Sequence, residues 1–120
     1  MLRHYFWHNW MGYLMSVKEA AAQAHFANYD SAMPVKEGDP IWYGDIENCD
    51  VCSRPMASEA YMIDGPAEAS ANPMWGNLCV RCAFKSSPTI GWGKAQLYKR
   101  VGSQWYLIAG GPPPQGNADF

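Results

Sequence analysis

Two C-x-x-C pairs set the terms for everything else in this chain: Cys49-Asp50-Val51-Cys52, a spacer of 26 residues, then Cys79-Val80-Arg81-Cys82. They hold all 4 cysteines of the 120-residue sequence. A C-x-x-C turn presents two sulfurs on the same side without strain, and two such turns complete a tetrahedral site with Zn–S bonds of about 2.3 Å. A disulfide within one pair would close a loop of about four residues, worth roughly 2 kcal/mol, against about 10–16 kcal/mol for a structural zinc at neutral pH. One structural Zn2+ held by Cys49, Cys52, Cys79 and Cys82 is therefore the expectation. The spacer exceeds the ordinary span of about 15–20 residues, and the glycine, prolines and small residues of 65–73 read as the loop that accounts for the excess.

The competing uses of paired cysteines fit less well. A thioredoxin-like motif places one C-x-x-C at a helix start inside a βαβ unit, and here there are two pairs and no βαβ pattern. The first fifteen residues carry Arg3, His4, His8 and several aromatics where a signal peptide needs a smooth apolar stretch. The expected setting is a reducing one, cytoplasmic or virion-associated and not secreted, and it favours metal over disulfides. No run of eighteen apolar residues is present, so no membrane span is expected.

Around the cysteines the sequence reads as a small α+β domain. Ser16-Val17-Lys18-Glu19 has the form of a capping box and opens an alanine-rich run predicted to be a helix over 17–29, with Ala22, Phe26 and Tyr29 as its apolar stripe. Met15 followed by this run also reads like a natural opening for the protein. Upstream, residues 1–15 form an aromatic arm in which Phe6, Trp10, Tyr13 and Leu14 fall on one face of a possible helix; Phe6, Trp7, Trp10 and Tyr13 are candidate docking residues. His4 and His8 lie four apart in this arm and read as packing residues in the absence of a nearby third ligand. Ile41-Trp42-Tyr43 reads as a short strand, residues 94–109 as a β-hairpin, and 110–120 as a Pro/Gly-rich tail. Residues 16–109 make one domain.

The segment 46–87 carries a family resemblance. Cys49-Asp50-Val51-Cys52-Ser53-Arg54-Pro55 looks like a zinc knuckle, the segments around Tyr61 and Leu78 like a β-hairpin, and Cys79 to Ser86 like a short helix bearing the second pair in its first turn. This order resembles the treble-clef, zinc-ribbon-like group of zinc fingers. The resemblance implies a four-cysteine finger stapled by one zinc and leaves the function open, because that fold group serves nucleic-acid binding, protein binding, scaffolding and nuclease chemistry alike.

Charge narrows the choice of partner. The formal net charge is −2, and four thiolates on one dipositive ion add a further −2, which argues against a non-specific polyanion binder. The distribution is lopsided. Residues 1–68 hold four basic and ten acidic side chains, whereas residues 69–118 hold Arg81, Lys85, Lys94, Lys99 and Arg100 and no acid. Those five cations with Trp92 are candidate contacts to nucleic acid or to another partner.

Catalytic patterns are missing. All 3 histidines precede Asp30, so none lies inside the finger where a His-Asn-His nuclease would need them. Neither H-x-E with P-C-x-x-C, nor H-E-x-x-H, nor a phosphate-binding loop occurs. The expectation is a non-enzymatic zinc protein that acts as a protein–protein interaction module or a small component of a larger assembly, with nucleic-acid binding through the basic half as the alternative. Compact acidic proteins of this kind look similar to small phage or plasmid accessory proteins.

Overall fold

The computed structural model describes residues 2–68, 70–86 and 89–112, with side chains from residue 17 onward. Helix α1 spans Leu2–Ala32. Its backbone is already helical at Ser16, so the capping-box pattern sits inside the helix and the expected 17–29 segment is the C-terminal half of a longer element. No proline interrupts residues 2–32, and the helix stops two residues before Pro34, whose ring disfavours helix in the residue ahead of it. Ala22 and Phe26 are buried and Tyr29 is half-buried, the predicted stripe. The side chains of Phe6, Trp7, Trp10 and Tyr13 lie outside the described residues, as does the tail from residue 113.

Strands β1 (Tyr61–Pro66) and β2 (Trp75–Leu78), helix α2 (Val80–Ser86), and strands β3 (Gln96–Val101) and β4 (Gln104–Ala109) follow. The four strands form one antiparallel sheet in the order β2-β1-β3-β4. The β3–β4 turn has two residues, with Gly102 at φ 64°, the choice for the first position of a type II′ turn. The Ile41–Tyr43 strand reduces to a single bridge from Ile41 to Tyr106, flanked by bonds from Trp42 N to Trp105 O (2.9 Å) and Leu107 N to Pro40 O (2.8 Å). Residues 40–42 thereby cover the outer edge of β4, which would otherwise offer unpaired backbone groups.

The sheet has two unlike faces because side chains alternate along each strand. On one face α1 packs: Tyr61 Oη donates to Asp30 Oδ2 at 2.6 Å, and Lys99 Nζ lies 2.8 Å from the same oxygen. Tyr61 and Lys99 are cross-strand partners, so one aspartate near the end of α1 pins β1 and β3 together. Eleven residues earlier, Glu19 ion-pairs with Arg54, which also reaches Glu59 at 3.5 Å. Between these clamps lies Phe26, fully buried and worth about 1.5–3 kcal/mol by apolar burial. On the opposite face Trp42 meets Tyr98 edge-to-face at 5.4 Å, and Arg100 lies 4.6 Å over the Trp105 ring.

Candidate metal centre

The first cysteine pair sits on a turn whose backbone is closed by three bonds. Ser53 N donates to Cys49 O (2.9 Å), Cys49 N to Arg54 O (2.8 Å) and Met56 N to Glu47 O (2.9 Å), the last two framing an isolated bridge between Asn48 and Pro55. Ser53 takes φ 64°, a left-handed conformation uncommon for a residue with a side chain. That turn is tied to β2 through the residue inside the C-x-x-C: Asp50 N donates to Asn77 O at 3.0 Å, and Asp50 Oδ2 accepts from Asn77 N at 2.7 Å. Gly76 is what permits the approach, since a Cβ there would meet the Asp50 carboxylate at 2.9 Å. β2 then delivers Cys79 to the start of α2, and Cys82 follows on that helix's first turn. Cys79 N donates to Cys49 Sγ at 3.4 Å, joining the two pairs directly.

The four sulfurs all lie within 4.8 Å of one another. A tetrahedron with Zn–S bonds of about 2.3 Å has edges of about 3.8 Å, and Cys52 Sγ and Cys79 Sγ are 3.8 Å apart. All four thiols are free, and Cys49, Cys79 and Cys82 are buried while Cys52 is half-buried. The arrangement is consistent with a zinc-binding site. Amide donors aimed at sulfur further suit thiolate over thiol. Electrostatics within the group are uneven. Burial pushes the Cys52 thiol up, but the Arg54 amide and the neighbouring sulfurs more than reverse it and bring it to about 7. Cys79 and Cys82 are both raised, first by burial and then by the charge of neighbouring sulfurs. Cys52 is therefore more readily ionised than Cys79 or Cys82, and a dipositive ion is what makes four thiolates tolerable together.

Searched against family models, characterised proteins and solved structures, the chain finds no match.

The five cations of the C-terminal half do not form one surface. Lys99 is paired to Asp30 on the α1 face, whereas Arg100, its neighbour on β3, points to the other face, stacks on Trp105 and donates to Met56 O at 3.4 Å. Trp92 and Lys94 sit exposed in the turn between the 91 and 95 bridge positions. Arg81 and Lys85 are one turn apart on α2, and together with Lys18 of α1 they line a groove of about 880 Å³ beside Cys52 and Cys82. Lys18 was not among the expected contacts. The signal for it is its place one helical turn before Ala22, on the stripe that docks α1 against the rest of the fold. Two structural residues were equally silent in sequence: Asp50 and Asp30 look like ordinary loop and helix-end acids until the fold supplies their partners.

Among the described residues, no helix is long and apolar enough to cross a membrane.

Proposed function

We propose that this chain is a non-catalytic, treble-clef-like zinc protein that works by binding another protein, alone or as a small part of a larger assembly. The observation that carries the reading is the donor set. Four cysteine sulfurs within 4.8 Å of one another would fill the coordination of a tetrahedral ion and leave no position for substrate, the arrangement of a structural zinc rather than a catalytic one. The order of cysteine turn, β1–β2 hairpin and α2 supports the treble-clef likeness. Protein binding is supported by large apolar side chains left in solvent, with Tyr43 92 % and Met74 75 % exposed and Trp75 and Trp92 about half exposed.

Nucleic-acid binding is the second reading, favoured by the convergence of Lys18, Arg81 and Lys85. It is weakened by the engagement of Lys99 and Arg100 within the fold, on opposite faces of one strand, and by the net charge of −2. Native mass spectrometry of complexes isolated from the source tests both. The expected result is one zinc per chain and a defined polypeptide partner. A metal-free chain with oxidised cysteines would end the zinc reading, and a complex containing nucleic acid but no second protein would reverse the choice of partner.

A further inference from the structure

The groove beside the metal centre has a composition that the zinc-stapling role does not use. Lys18 and Ala22 of α1 line it, as do Arg81, Phe84 and Lys85 of α2 and Val51 of the first cysteine turn. Val51 is 50 % and Phe84 40 % exposed, so two apolar side chains meet solvent where ordinary folding would cover them. Among the described residues, all the charged lining side chains are cations. Resting on the reading of the chain as a protein-binding module, we propose that this groove is the docking site for an acidic, apolar peptide segment of a partner protein.

Charge complementarity commits the groove to that occupant. Three cations line it, and Cys52 and Cys82 bring the metal centre to its edge. A zinc bound by four thiolates carries a net −2, which offsets much of the charge of the three cations. A polyanion with a charge at every phosphate gains little from such a surface, because phosphates that follow the groove must also pass the thiolates. A peptide with isolated carboxylates fares better. Arg81 and Lys85 are one helical turn apart, so two acids at matching spacing pair with them while apolar side chains between settle on Val51, Phe84 and the alanine-lined α1 wall. A volume of about 880 Å³ accommodates several such side chains.

The test is selection of random displayed peptides on the zinc-loaded full chain, followed by titration of one enriched peptide against variants. Enriched sequences are expected to combine acidic with bulky apolar residues, and amide shifts in the labelled protein should centre on Lys18, Val51, Phe84 and Lys85. The double variant Lys18→Glu/Lys85→Glu should weaken binding about tenfold or more. Lys94→Glu, which is not among the groove's lining residues, should leave binding unchanged. Both variants are verified by zinc stoichiometry and amide dispersion before titration, and the shift map on the native chain stands by itself if the double variant fails to fold. The proposal is overturned by failure to enrich peptides, enrichment of sequences without acids, or undiminished affinity in the folded double variant. Displacement by a single-stranded oligonucleotide that binds the same residues more tightly, or self-association through them, overturns it too. A polypeptide partner from the source that native chain and double variant hold equally removes the groove and leaves protein binding standing; recovery of no polypeptide partner removes the broader reading instead.

Discussion

The two hairpins of the sheet are secured by different chemistry. Around β1 and β2 the sulfur cluster joins the packing: Cys49, Cys79 and Cys82 are buried beside Met56, Val80 and Ala83, Asp50 brackets Asn77, and the loop between β1 and β2 is largely exposed. Around β3 and β4 there is no such cluster: Trp105, Ile108 and Ala109 of β4 are buried, Trp42 lies against Tyr98, and residues 40–42 run along the outer edge. Both hairpins bury large side chains, Tyr61, Met62, Ile63 and Leu78 from the first and Leu97, Tyr98, Trp105 and Ile108 from the second, and the first adds the ion site. A metal supplements the shared core of a chain this short, and the far hairpin relies on that core and its covered edge without one.

Removing the metal is the most severe way to break that contrast. Chelation, or Cys82→Ser, should abolish zinc binding and forfeit about 10–16 kcal/mol of folding free energy, on the order of a whole domain's stability. Amide spectra should then lose the dispersed signals of the cysteine turn, β2 and α2 first; a chelated protein that retains them would show that sulfur is dispensable. Phe26→Ala tests the contact that α1 makes with the shared core and should cost about 3–5 kcal/mol in denaturant unfolding. A loss below about 1 kcal/mol would mean that α1 is not docked as described.

The Asp30 clamp sharpens the comparison by pH. Burial alone would raise this carboxyl, but the hydrogen bonds from Lys99 and Tyr61 and the Lys99 charge outweigh it and hold Asp30 below the ordinary aspartate range. A depressed carboxyl stabilises the fold above its unfolded value near 4 and loses that contribution as pH falls through the folded one. Asp30→Asn should therefore cost about 1–2 kcal/mol at neutral pH, discounted for the partly exposed Lys99, and the gap to the native chain should close in acid. Denaturant midpoints for the two proteins across pH check it, and a gap that widens in acid would contradict the clamp. The smallest effect is a gain. Ser53→Gly relieves a left-handed backbone in the first cysteine turn and should stabilise by about 0.5–1 kcal/mol, read as a raised midpoint with zinc stoichiometry unchanged.

Much of this architecture is legible before folding, and the boundary follows range along the chain. Cysteine spacing, the short helix at the second pair, the 94–109 hairpin and the Ala22–Phe26 stripe are local patterns, and each appears where its pattern lies. Pairing of β1 with β3 is not local. It joins Tyr61 to Lys99 across 38 positions, and neither strand's alternation says that two separate hairpins fuse into one sheet. The Ser16–Glu19 capping pattern misleads for the converse reason: a cap is a start signal only if the preceding residues are not helical, and here they are. The basic half reads as one surface in sequence because charge counts are blind to face; consecutive strand positions send Lys99 and Arg100 to opposite sides. Likewise the groove cations come from positions 18, 81 and 85, and only the docking of α1 on α2 unites them.

The central position of β1 has a bearing on how the chain is made. A ribosome delivers Cys82 before Gln96, so both cysteine pairs are in hand, and an ion can be captured, while the side of β1 that β3 will occupy is still bare. Until residues 96–101 emerge, the newborn finger carries an open strand edge of the kind that recruits other chains.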